Sequence, residues 1–423
     1  MKVCLVLDTF PGMHTHWSGA ERMGQRLGEH LAARGHEVAW LTRPPDPGFP
    51  VAAGALCVRQ GLPRQGWITR HLPLDLPAMA SALGRLRRLR PDVVHSHAKD
   101  LHFPVLAACR ILRIPLVFTV VDQYLFCPTQ TLALPDGGPC RAEQGAECAQ
   151  CFKLVEGNIR NPLLRACARR SGAVSVFLRL RAAVARCGAR RLDAVIALSE
   201  TSRRRVVDLG VPPERVHRIY QYDVETPPEP IDPYPEPTVV YIGALSAARG
   251  ADVAVRVFRR VLDAVPEARL KMVGGVWDEF GKMVRALPAE LGIAGRVEFL
   301  GQLPNARTLE VIRRSRVVLV PLQFPNEFGP MNLVEAMRMG RPVVAGRIGA
   351  THEFVRDGVD GILATYNDKA AYAAGVVQLL RDPTRAAAMG ENARCSSVTA
   401  VEGHYADAIE GVYRNVVRER RSA

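Results

Sequence analysis

The feature that most constrains this chain is a regular alternation of short apolar runs with helical periods. Residues 2–7, with an apolar run from Val3 to Leu7, are predicted to form a strand, and a second strand is predicted at residues 36–42. Between them, apolar side chains recur at the spacing of one helix face, at Ala20, Met23, Leu27 and Leu31. Buried strands that are separated by helices form a parallel sheet with helices on both faces. The pattern therefore predicts an α/β protein with a doubly wound parallel sheet.

A proline-rich segment interrupts the alternation once. Six prolines fall within residues 223–237, where a semi-rigid linker is expected because proline fits neither a sheet nor a helix interior. Further strand-type runs lie before the segment, at 93–97, 116–120 and 194–198, and after it, at 239–242, 270–273, 297–300, 317–321, 342–345 and 362–364. Two Rossmann-like domains that face each other across a cleft are predicted, with ligands at the carboxyl ends of the strands.

This division gives the predicted domain organisation. The N-terminal domain covers residues 1–222 and contains a cysteine-rich insert at about 124–155, and the linker covers residues 223–237. The C-terminal domain covers residues 238–400. Residues 401–423 are expected to form a C-terminal helix that packs back on the N-terminal domain.

The composition favours a soluble globular protein with about two domains, since 48% of the 423 residues are apolar and 23% are charged. No run approaches the roughly 18–20 apolar residues of a membrane span, and Asp8 closes the first apolar run too early for a signal peptide. We therefore expect a cytoplasmic protein. Its ten cysteines are then expected to be thiols or metal ligands, because the cytosol keeps thiols reduced.

Three motifs that would indicate other functions are missing from the sequence. No Gly-x-Gly-x-x-Gly follows a predicted strand, which disfavours a dinucleotide-binding oxidoreductase. There is no Gly-x4-Gly-Lys-Ser/Thr loop of the P-loop nucleotidases. No Asp-x-Asp pair is present, which argues against a metal ion holding a diphosphate.

The most informative segment is residues 320–336, between a predicted strand and a predicted helix. Pro330 suits the first turn of a helix, which leaves the amides from Met331 to Leu333 as unpaired donors at the positive helix end. Such a helix start binds phosphate readily. Gly329 would let a ligand approach the backbone closely.

Two carboxylates flank this helix start. Glu327 precedes the helix and Glu335 lies one to two turns inside it. Taken alone, they could be a helix-start charge and a solvated helix residue. However, the Glu-x7-Glu pair has Phe-Gly after its first Glu and is followed by the segments at 336–345, 349–353 and 357–358. This order of motifs resembles the donor-binding half of the retaining glycosyltransferases of family 4, which have the GT-B fold.

The resemblance extends over nearly the whole chain. In the first domain, the segments that are typical of the family are residues 18–21, 34–38, 91–97 and 193–199. After the linker, residues 241–250 resemble a family loop that usually carries an Arg after its first Gly and a Lys before its last. Here Arg249 takes the Lys position, whereas Ala244 takes the Arg position. One strong cation remains where the family usually has two, so we expect weaker donor binding, a compensating cation or a lost activity.

The resemblance implies transfer of a sugar from a nucleoside diphosphate sugar, with retention and without a metal or other cofactor. The first domain would bind a glycan, lipid-linked or small-molecule acceptor, in surface polysaccharide or glycoconjugate biosynthesis. The implied donor-binding residues are Gly19, Gly243, Arg249, Gly274, Glu327, Phe328, Gly329, Pro330, Met331, Asn332, Leu333 and Glu335. The implied catalytic residues are Glu327, Arg249 and Asp122. Two alternatives remain, another nucleotide-sugar enzyme of this fold such as an epimerase, and a nucleotide-sugar-binding protein without turnover.

A second departure from the family lies at the end of a predicted strand in the first domain. Many relatives have His-Asp where this chain has Val121 and Asp122. Asp122 is either a ligand of the acceptor or donor sugar or a cap of the strand end. His95 and His97 lie near another strand end, where a hydrogen-bonded structural role is favoured.

Four cysteines in the insert have the spacing Cys-x12-Cys-x7-Cys-x2-Cys, at Cys127, Cys140, Cys148 and Cys151. The insert is rich in Pro and Gly and has little apolar material of its own. A tetrahedral thiolate zinc site would supply the missing folding energy. Unliganded thiols, a disulfide and a redox role are the alternatives.

The formal charge of +14 is concentrated in the first half of the chain. From Arg160 to Arg191 there are nine arginines and no acidic residue, and Arg179, Arg186 and Arg190 have the spacing of one helix face. A basic amphipathic helix can bind an anionic membrane surface, which would place the protein peripherally at the inner face of the cell membrane. A solvated face is the alternative. Nucleic acid is not expected, because no aromatic interleaving or binding motif accompanies the arginines.

Overall fold

The structure is a computed structural model, and it describes residues 1–15, 19–58, 75–99, 101–123, 125–127, 140, 148, 151, 166, 171–220, 233–323, 328–399 and 405–422. The chain divides into two compact units. The first consists of Met1–Asp223 together with Gly403–Ala423, and the second is Val224–Glu402.

The first unit contains a seven-stranded sheet of order β3-β2-β1-β4-β5-β6-β7, in which every described pair of strands is parallel. Its described strands are β1 (Lys2–Val6), β2 (Glu37–Thr42), β3 (Ala55–Cys57), β4 (Val93–Ser96), β5 (Leu116–Val120), β6 (Ala194–Ala197) and β7 (Val216–Arg218). The helices described with them are α1 (Gly19–Ala33), α2 (Leu76–Leu89), α3 (His102–Leu112), α4 (Ser171–Ala189) and α5 (Glu200–Asp208).

The second unit contains a six-stranded parallel sheet of order β10-β9-β8-β11-β12-β13. Its strands are β8 (Thr238–Ile242), β9 (Arg269–Val273), β10 (Val297–Gly301), β11 (Val317–Val320), β12 (Val343–Gly346) and β13 (Gly361–Ala364). The accompanying helices are α6 (Ala251–Leu262), α7 (Glu279–Glu290), α8 (Asn305–Arg314), α9 (Met331–Arg338), α10 (Thr351–Phe354), α11 (Lys369–Arg381) and α12 (Pro383–Thr399).

Both sheets confirm the predicted doubly wound architecture. In the first unit, Val3 of β1 pairs with Val38 on one side and Val93 on the other, so the strand order reverses between β1 and β4. In the second unit the reversal lies between β8 and β11. At such a switch point the helices leave to opposite faces and open a crevice at the carboxyl ends of the strands, where ligands of these folds bind.

The last helix, α13 (Tyr405–Ser422), belongs to the first unit. Its buried face, including Tyr405, Ile409 and Tyr413, joins the core cluster that contains Val3 and Leu5 of β1. Buried apolar area of this kind is the main stabilising term in folding. The end of the chain therefore completes the core that its first strand begins.

The end of the proline-rich segment is anchored to the second unit. The backbone amide of Tyr234 donates to the carbonyl of Arg314 at 2.8 Å, and the Tyr234 ring lies 4.6 Å from both Lys271 and Arg314. Residues 221–232 lie outside the described part of the chain. Of the expected linker, the structure thus describes only residues 233–237, and Tyr234 connects them to the second unit.

Candidate functional site

The loop after β8 is held tightly against its neighbours at the switch point of the second unit. The backbone amide of Gly243 donates to the carbonyl of Val273 at 2.9 Å, and a Cβ at Gly274 would lie 1.8 Å from the Gly243 oxygen. The hydroxyl of Tyr241 donates to the carbonyl of Ala244 at 2.9 Å. Both predicted glycines, Gly243 and Gly274, therefore serve the close approach of two loops.

The same loop also contacts the segment that follows β11. Gly250 has a φ of +68°, and a Cβ there would lie 1.8 Å from the carbonyl oxygen of Pro321. The backbone amide of Gln323 donates to the carbonyl of Ala248 at 3.0 Å. Arg249 is held between these contacts in a short 3-10 turn, Ala247–Arg249, with its Cβ 3.6 Å from the position of a Cβ at Gly243. The backbone of Arg249, the predicted phosphate-binding residue, therefore lies at the switch point.

Helix α9 starts at Met331, one residue later than predicted, and Pro330 is its N-cap. The Leu333 amide is not the open donor that was expected, because it donates to the Pro330 carbonyl at 3.1 Å and to the Asn332 side chain at 2.9 Å. The amides of Met331 and Asn332 lie before the first amide that can donate to a carbonyl within the helix. The Asn332 side chain also donates to the carbonyl of Ile242 at 2.8 Å and so ties this helix start to the end of β8.

Glu335 is buried, with 6% of its surface exposed, so it is not the solvated helix residue that was the alternative interpretation. The side-chain amide of Asn305 donates to its carboxylate at 3.2 Å. Asn305 was not predicted as a site residue from the sequence, although its position at the start of α8, directly after Pro304, could have indicated it. Phe328 is buried beside Gly329, while Glu327 lies outside the described residues.

In the first unit, charged side chains collect where β1, β2, β4 and β5 end. Asp8 is 5% exposed, and its carboxylate accepts from the backbone amides of Lys99 at 2.8 Å and Leu101 at 3.1 Å. The Arg43 guanidinium donates to the Asp8 carbonyl at 2.8 Å. The Lys99 ammonium lies 3.9 Å from the Asp122 carboxylate, and both side chains are about a third exposed.

Of this group, only Asp122 was predicted as a site residue from the sequence; Asp8 and Lys99 were not. Asp8 lies two residues after β1 ends, and Lys99 lies three residues after β4 ends. Their positions beside predicted strand ends could have identified both residues as site candidates. Gly19, the remaining predicted donor-binding residue, is the first residue of α1, and residues 16–18 before it lie outside the description.

His95 is a structural residue. It is fully buried, with Tyr413 Oη 2.6 Å from its Nδ1 and Thr119 Oγ1 2.7 Å from its Nε2. Burial, and to a smaller extent the neighbouring His97, hold the pKa of His95 well below its usual value. The ring is therefore neutral at physiological pH and connects α13 to β4 and β5.

All four cysteines of the insert are among the described residues, and none is in a disulfide. Cys127 and Cys151 are buried, and Cys140 and Cys148 are half-buried. Burial, and then the charges of the other three, raise the pKa of the Cys151 thiol to about 11. Across the described residues, no three His, Cys, Asp or Glu side chains are already arranged to hold a metal ion.

The basic segment is described from residue 171 onward, apart from residue 166. In α4, Arg179 is exposed but Arg181 is buried, and Arg190 lies just beyond the helix end. Val176 and Leu180 expose 69% and 61% of their surfaces on the same side as Arg179. None of the helices in the described ranges is both long and apolar enough to cross a membrane.

Two sequence families match the chain. The family described as "Glycosyltransferase Family 4" matches residues 17–221, and "Glycosyl transferases group 1" matches residues 227–395. The D-inositol 3-phosphate glycosyltransferase of Acidothermus cellulolyticus is 29% identical over 94% of this chain and 86% of that protein. Its namesake from Nocardia farcinica is 32% identical, but over only 44% of this chain and 42% of that protein.

Solved structures share the fold. Sucrose-phosphate synthase from Thermosynechococcus elongatus superimposes with a TM-score of 0.70 at 19% identity, covering 99% of each chain. Anabaena HepE in complex with UDP and glucose superimposes with a TM-score of 0.67 at 16% identity, covering 100% of each chain. Both similarities concern the arrangement of strands and helices.

Proposed function

This chain belongs to the family 4 (group 1) glycosyltransferases and has their GT-B fold, and on that premise we propose that it transfers a sugar from a nucleoside diphosphate sugar with retention of configuration. The observation that carries the proposal is the switch point of the second unit. There Arg249 and the helix-start amides of Met331 and Asn332 lie on two segments that the Asn332 side chain joins through its hydrogen bond to Ile242.

These groups suit a diphosphate. An exposed helix start contributes only about 0.3–1 kcal/mol of dipole stabilisation, too little to hold a diphosphate leaving group by itself. A guanidinium can bind phosphate oxygens through two parallel hydrogen bonds. Because Ala244 has no charge, we assign most of the phosphate affinity to Arg249.

The nucleoside would bind beside α9. We propose that Glu335 accepts hydrogen bonds from the ribose hydroxyls, in the orientation that Asn305 gives its carboxylate. HepE was solved with UDP and glucose, so UDP-glucose is the first donor to test on this chain.

We propose a reaction in which no side chain forms a covalent intermediate. The bond between the anomeric carbon and the phosphate oxygen breaks, and an acceptor hydroxyl attacks from the face that the diphosphate leaves. The departing phosphate takes the hydroxyl proton. Arg249 and the helix start stabilise the negative charge without a metal ion. By resemblance to the family, we assign Glu327 to the donor sugar and Asp122 to a sugar hydroxyl.

The acceptor would bind at the charged strand ends of the first unit. The Acidothermus relative is named for an inositol phosphate and the Thermosynechococcus neighbour for a sucrose phosphate. Lys99 and Arg43 could bind an anionic group on a polyhydroxylated acceptor. We propose a glycan, a lipid-linked sugar or a small polyol as acceptor, in surface polysaccharide or glycoconjugate biosynthesis.

For a lipid-linked acceptor, helix α4 offers a surface that would bind an anionic membrane. Val176 and Leu180 would enter the headgroup region, while Arg179 meets the lipid phosphates. The protein would then be cytoplasmic and peripheral. Flotation with phosphatidylglycerol vesicles, but not with phosphatidylcholine vesicles, is expected, and exchange of Val176 and Leu180 for Ser should abolish it. The exposed Val359→Ser variant in the second unit is the control.

A donor screen tests the enzymatic proposal. The protein is incubated with nucleoside diphosphate glucose, galactose, mannose and N-acetylglucosamine, and release of the diphosphate is followed. Slow hydrolysis of one donor, with a product of unchanged anomeric configuration by proton NMR, supports a retaining transferase. Tight nucleotide binding without turnover of any donor would favour a binding protein instead, which the departures at Ala244 and Val121 keep as the second candidate.

A further inference from the structure

The loop after β9 carries a half-exposed tryptophan at the carboxyl edge of the second sheet. Trp277 lies four residues after β9 ends and exposes 49% of its surface. Its ring lies over Gly275, since a Cβ at that glycine would be 2.5 Å from the Trp277 Cζ2 atom. Tryptophan normally buries most of its large apolar surface. Part of a flat apolar ring is therefore open at the edge of the sheet where ligands of this fold bind.

The residues on either side of Trp277 hold its backbone in place. Val276 packs against the main core cluster of the second unit. The Asp278 carboxylate caps the start of α7 and accepts from the Gly281 amide at 2.9 Å. Because the backbone on both sides is fixed, a flat ligand that stacks on the indole would lose little affinity to the ordering of this loop.

On one side, the loop of Trp277 packs against the loop after β8. The Leu245 amide donates to the Gly275 carbonyl at 3.0 Å. A Cβ at Gly274 would lie 3.2 Å from the backbone nitrogen of Ala244. The tryptophan is thus carried by the loop that adjoins the proposed diphosphate site.

On the other side, the same loop is joined to the segment that leads to the proposed ribose site. The Gly274 amide donates to the carbonyl of Gly301, the last residue of β10, at 2.8 Å. Helix α8 begins four residues later at Asn305, whose side chain donates to Glu335. Neighbouring strands lie only about 4.8 Å apart. A nucleoside diphosphate with its phosphates at Arg249 and its ribose at Glu335 would therefore extend its base toward the loops after β9 and β10.

We propose that Trp277 stacks on the nucleobase of the nucleoside diphosphate donor. This inference rests on the proposed function, because it takes the nucleoside diphosphate sugar as the ligand. Every base has a π face, and stacking on an aromatic side chain contributes about 5- to 150-fold in affinity per base. Within residues 243–250 the sequence has a single cation, Arg249. The stack would offset the modest electrostatic attraction that one cation gives to the diphosphate.

Calorimetric titration of the full-length protein with UDP, GDP and ADP tests the stack. The wild type is expected to bind at least one of them. Trp277→Leu, which keeps an apolar side chain without a π face, should bind that nucleotide at least about fivefold more weakly. Trp277→Phe should recover most of the affinity. Met283→Ala, which removes an exposed apolar side chain of α7, should bind like the wild type.

Inorganic pyrophosphate and tryptophan fluorescence separate a lost stack from a disturbed loop. Pyrophosphate has no base, so its affinity should be the same in the wild type and in all three variants. The nucleotide should quench the fluorescence of the wild type, because a stacked base quenches an indole, whereas pyrophosphate should not. Trp277→Phe should bind the nucleotide without this quenching.

The possible failures can be told apart. If the wild type bound none of the three nucleotides, the proposed donor site and the stack would both be rejected. Equal nucleotide affinity in the wild type and Trp277→Leu, or quenching that persists in Trp277→Phe, would overturn the stack alone. An equal loss of pyrophosphate and nucleotide affinity in Trp277→Leu would likewise reject it.

Discussion

Lys99 and Asp122 form a pair of charges at the carboxyl edge of the first sheet, 3.9 Å apart. A partly exposed ion pair contributes only about 0.2–1 kcal/mol to stability, so Lys99→Met should leave the midpoint of thermal unfolding nearly unchanged. If Lys99 binds an anionic acceptor, its loss should lower kcat/KM for the acceptor by about ten- to a hundredfold. Donor hydrolysis without acceptor should be unaffected.

The control is Arg110→Met, which breaks the comparable ion pair with Asp193 at 3.8 Å. Equal losses of kcat/KM for the acceptor in the Lys99 and Arg110 variants would contradict a role of Lys99 in acceptor binding.

His102 gives the first unit a pH-dependent stability. It is fully buried between Phe103 and Phe118, neither ring nitrogen has a hydrogen-bond partner in the described structure, and burial lowers its pKa to about 4. Since an unfolded His has a pKa of about 6.5, the unfolded chain binds more protons below that pH, and stability falls as the pH falls from about 6.5 towards 4.

The His102→Phe variant tests this linkage. Between pH 7 and pH 5, the titration of His102 should cost about 2 kcal/mol of unfolding free energy. Urea unfolding of the variant should therefore show a pH dependence that is smaller by about that amount. The exposed His352→Phe variant should keep the wild-type dependence, and an unchanged dependence in His102→Phe would show that the ring does not titrate on unfolding.

At the scale of elements, the contact between the β8 loop and the segment after β11 decides the shape of the donor site. Gly250 and Gly292 have the same φ of +68°, but a Cβ at Gly250 meets the Pro321 carbonyl, whereas Gly292 has open space around it. Gly292→Ala should cost about 1 kcal/mol of backbone strain. Gly250→Ala should cost at least about 3 kcal/mol and weaken nucleotide binding, because two loops must separate. Similar stabilities of the two variants in denaturant unfolding would contradict this assignment.

The elements that sequence patterns missed share a physical reason. The strands with the strongest apolar runs, such as β5, β8 and β11, are fully buried and were predicted to within one residue. The edge strands β3 and β7 are only three residues long and are partly exposed, so the apolar signal at each is short or, in β7, interrupted by His217 and Arg218. The predicted strand at 342–345 begins instead at Val343, because Pro342 has no amide to donate.

At the scale of the whole molecule, sequence patterns predicted both sheets because burial on two faces leaves a strong apolar signal. A local motif is the basis of the predicted donor site at α9 and Arg249, and that site stays a prediction. The interactions of Asp8, Lys99 and Asn305 depend on which loops the folded sheets bring together. No residue spacing in the sequence indicates these contacts. Leu333 illustrates the same limit, since a side chain one residue away takes the amide that was predicted to be open.

The central claim is that Arg249 holds the diphosphate at the switch point of the second unit, and calorimetric titration with UDP tests it most directly. Loss of a charge-assisted contact should weaken binding to Arg249→Met by at least about tenfold. The exposed Arg260→Met variant on the neighbouring helix should bind like the wild type. Equal UDP affinity in the wild type and Arg249→Met would contradict the account.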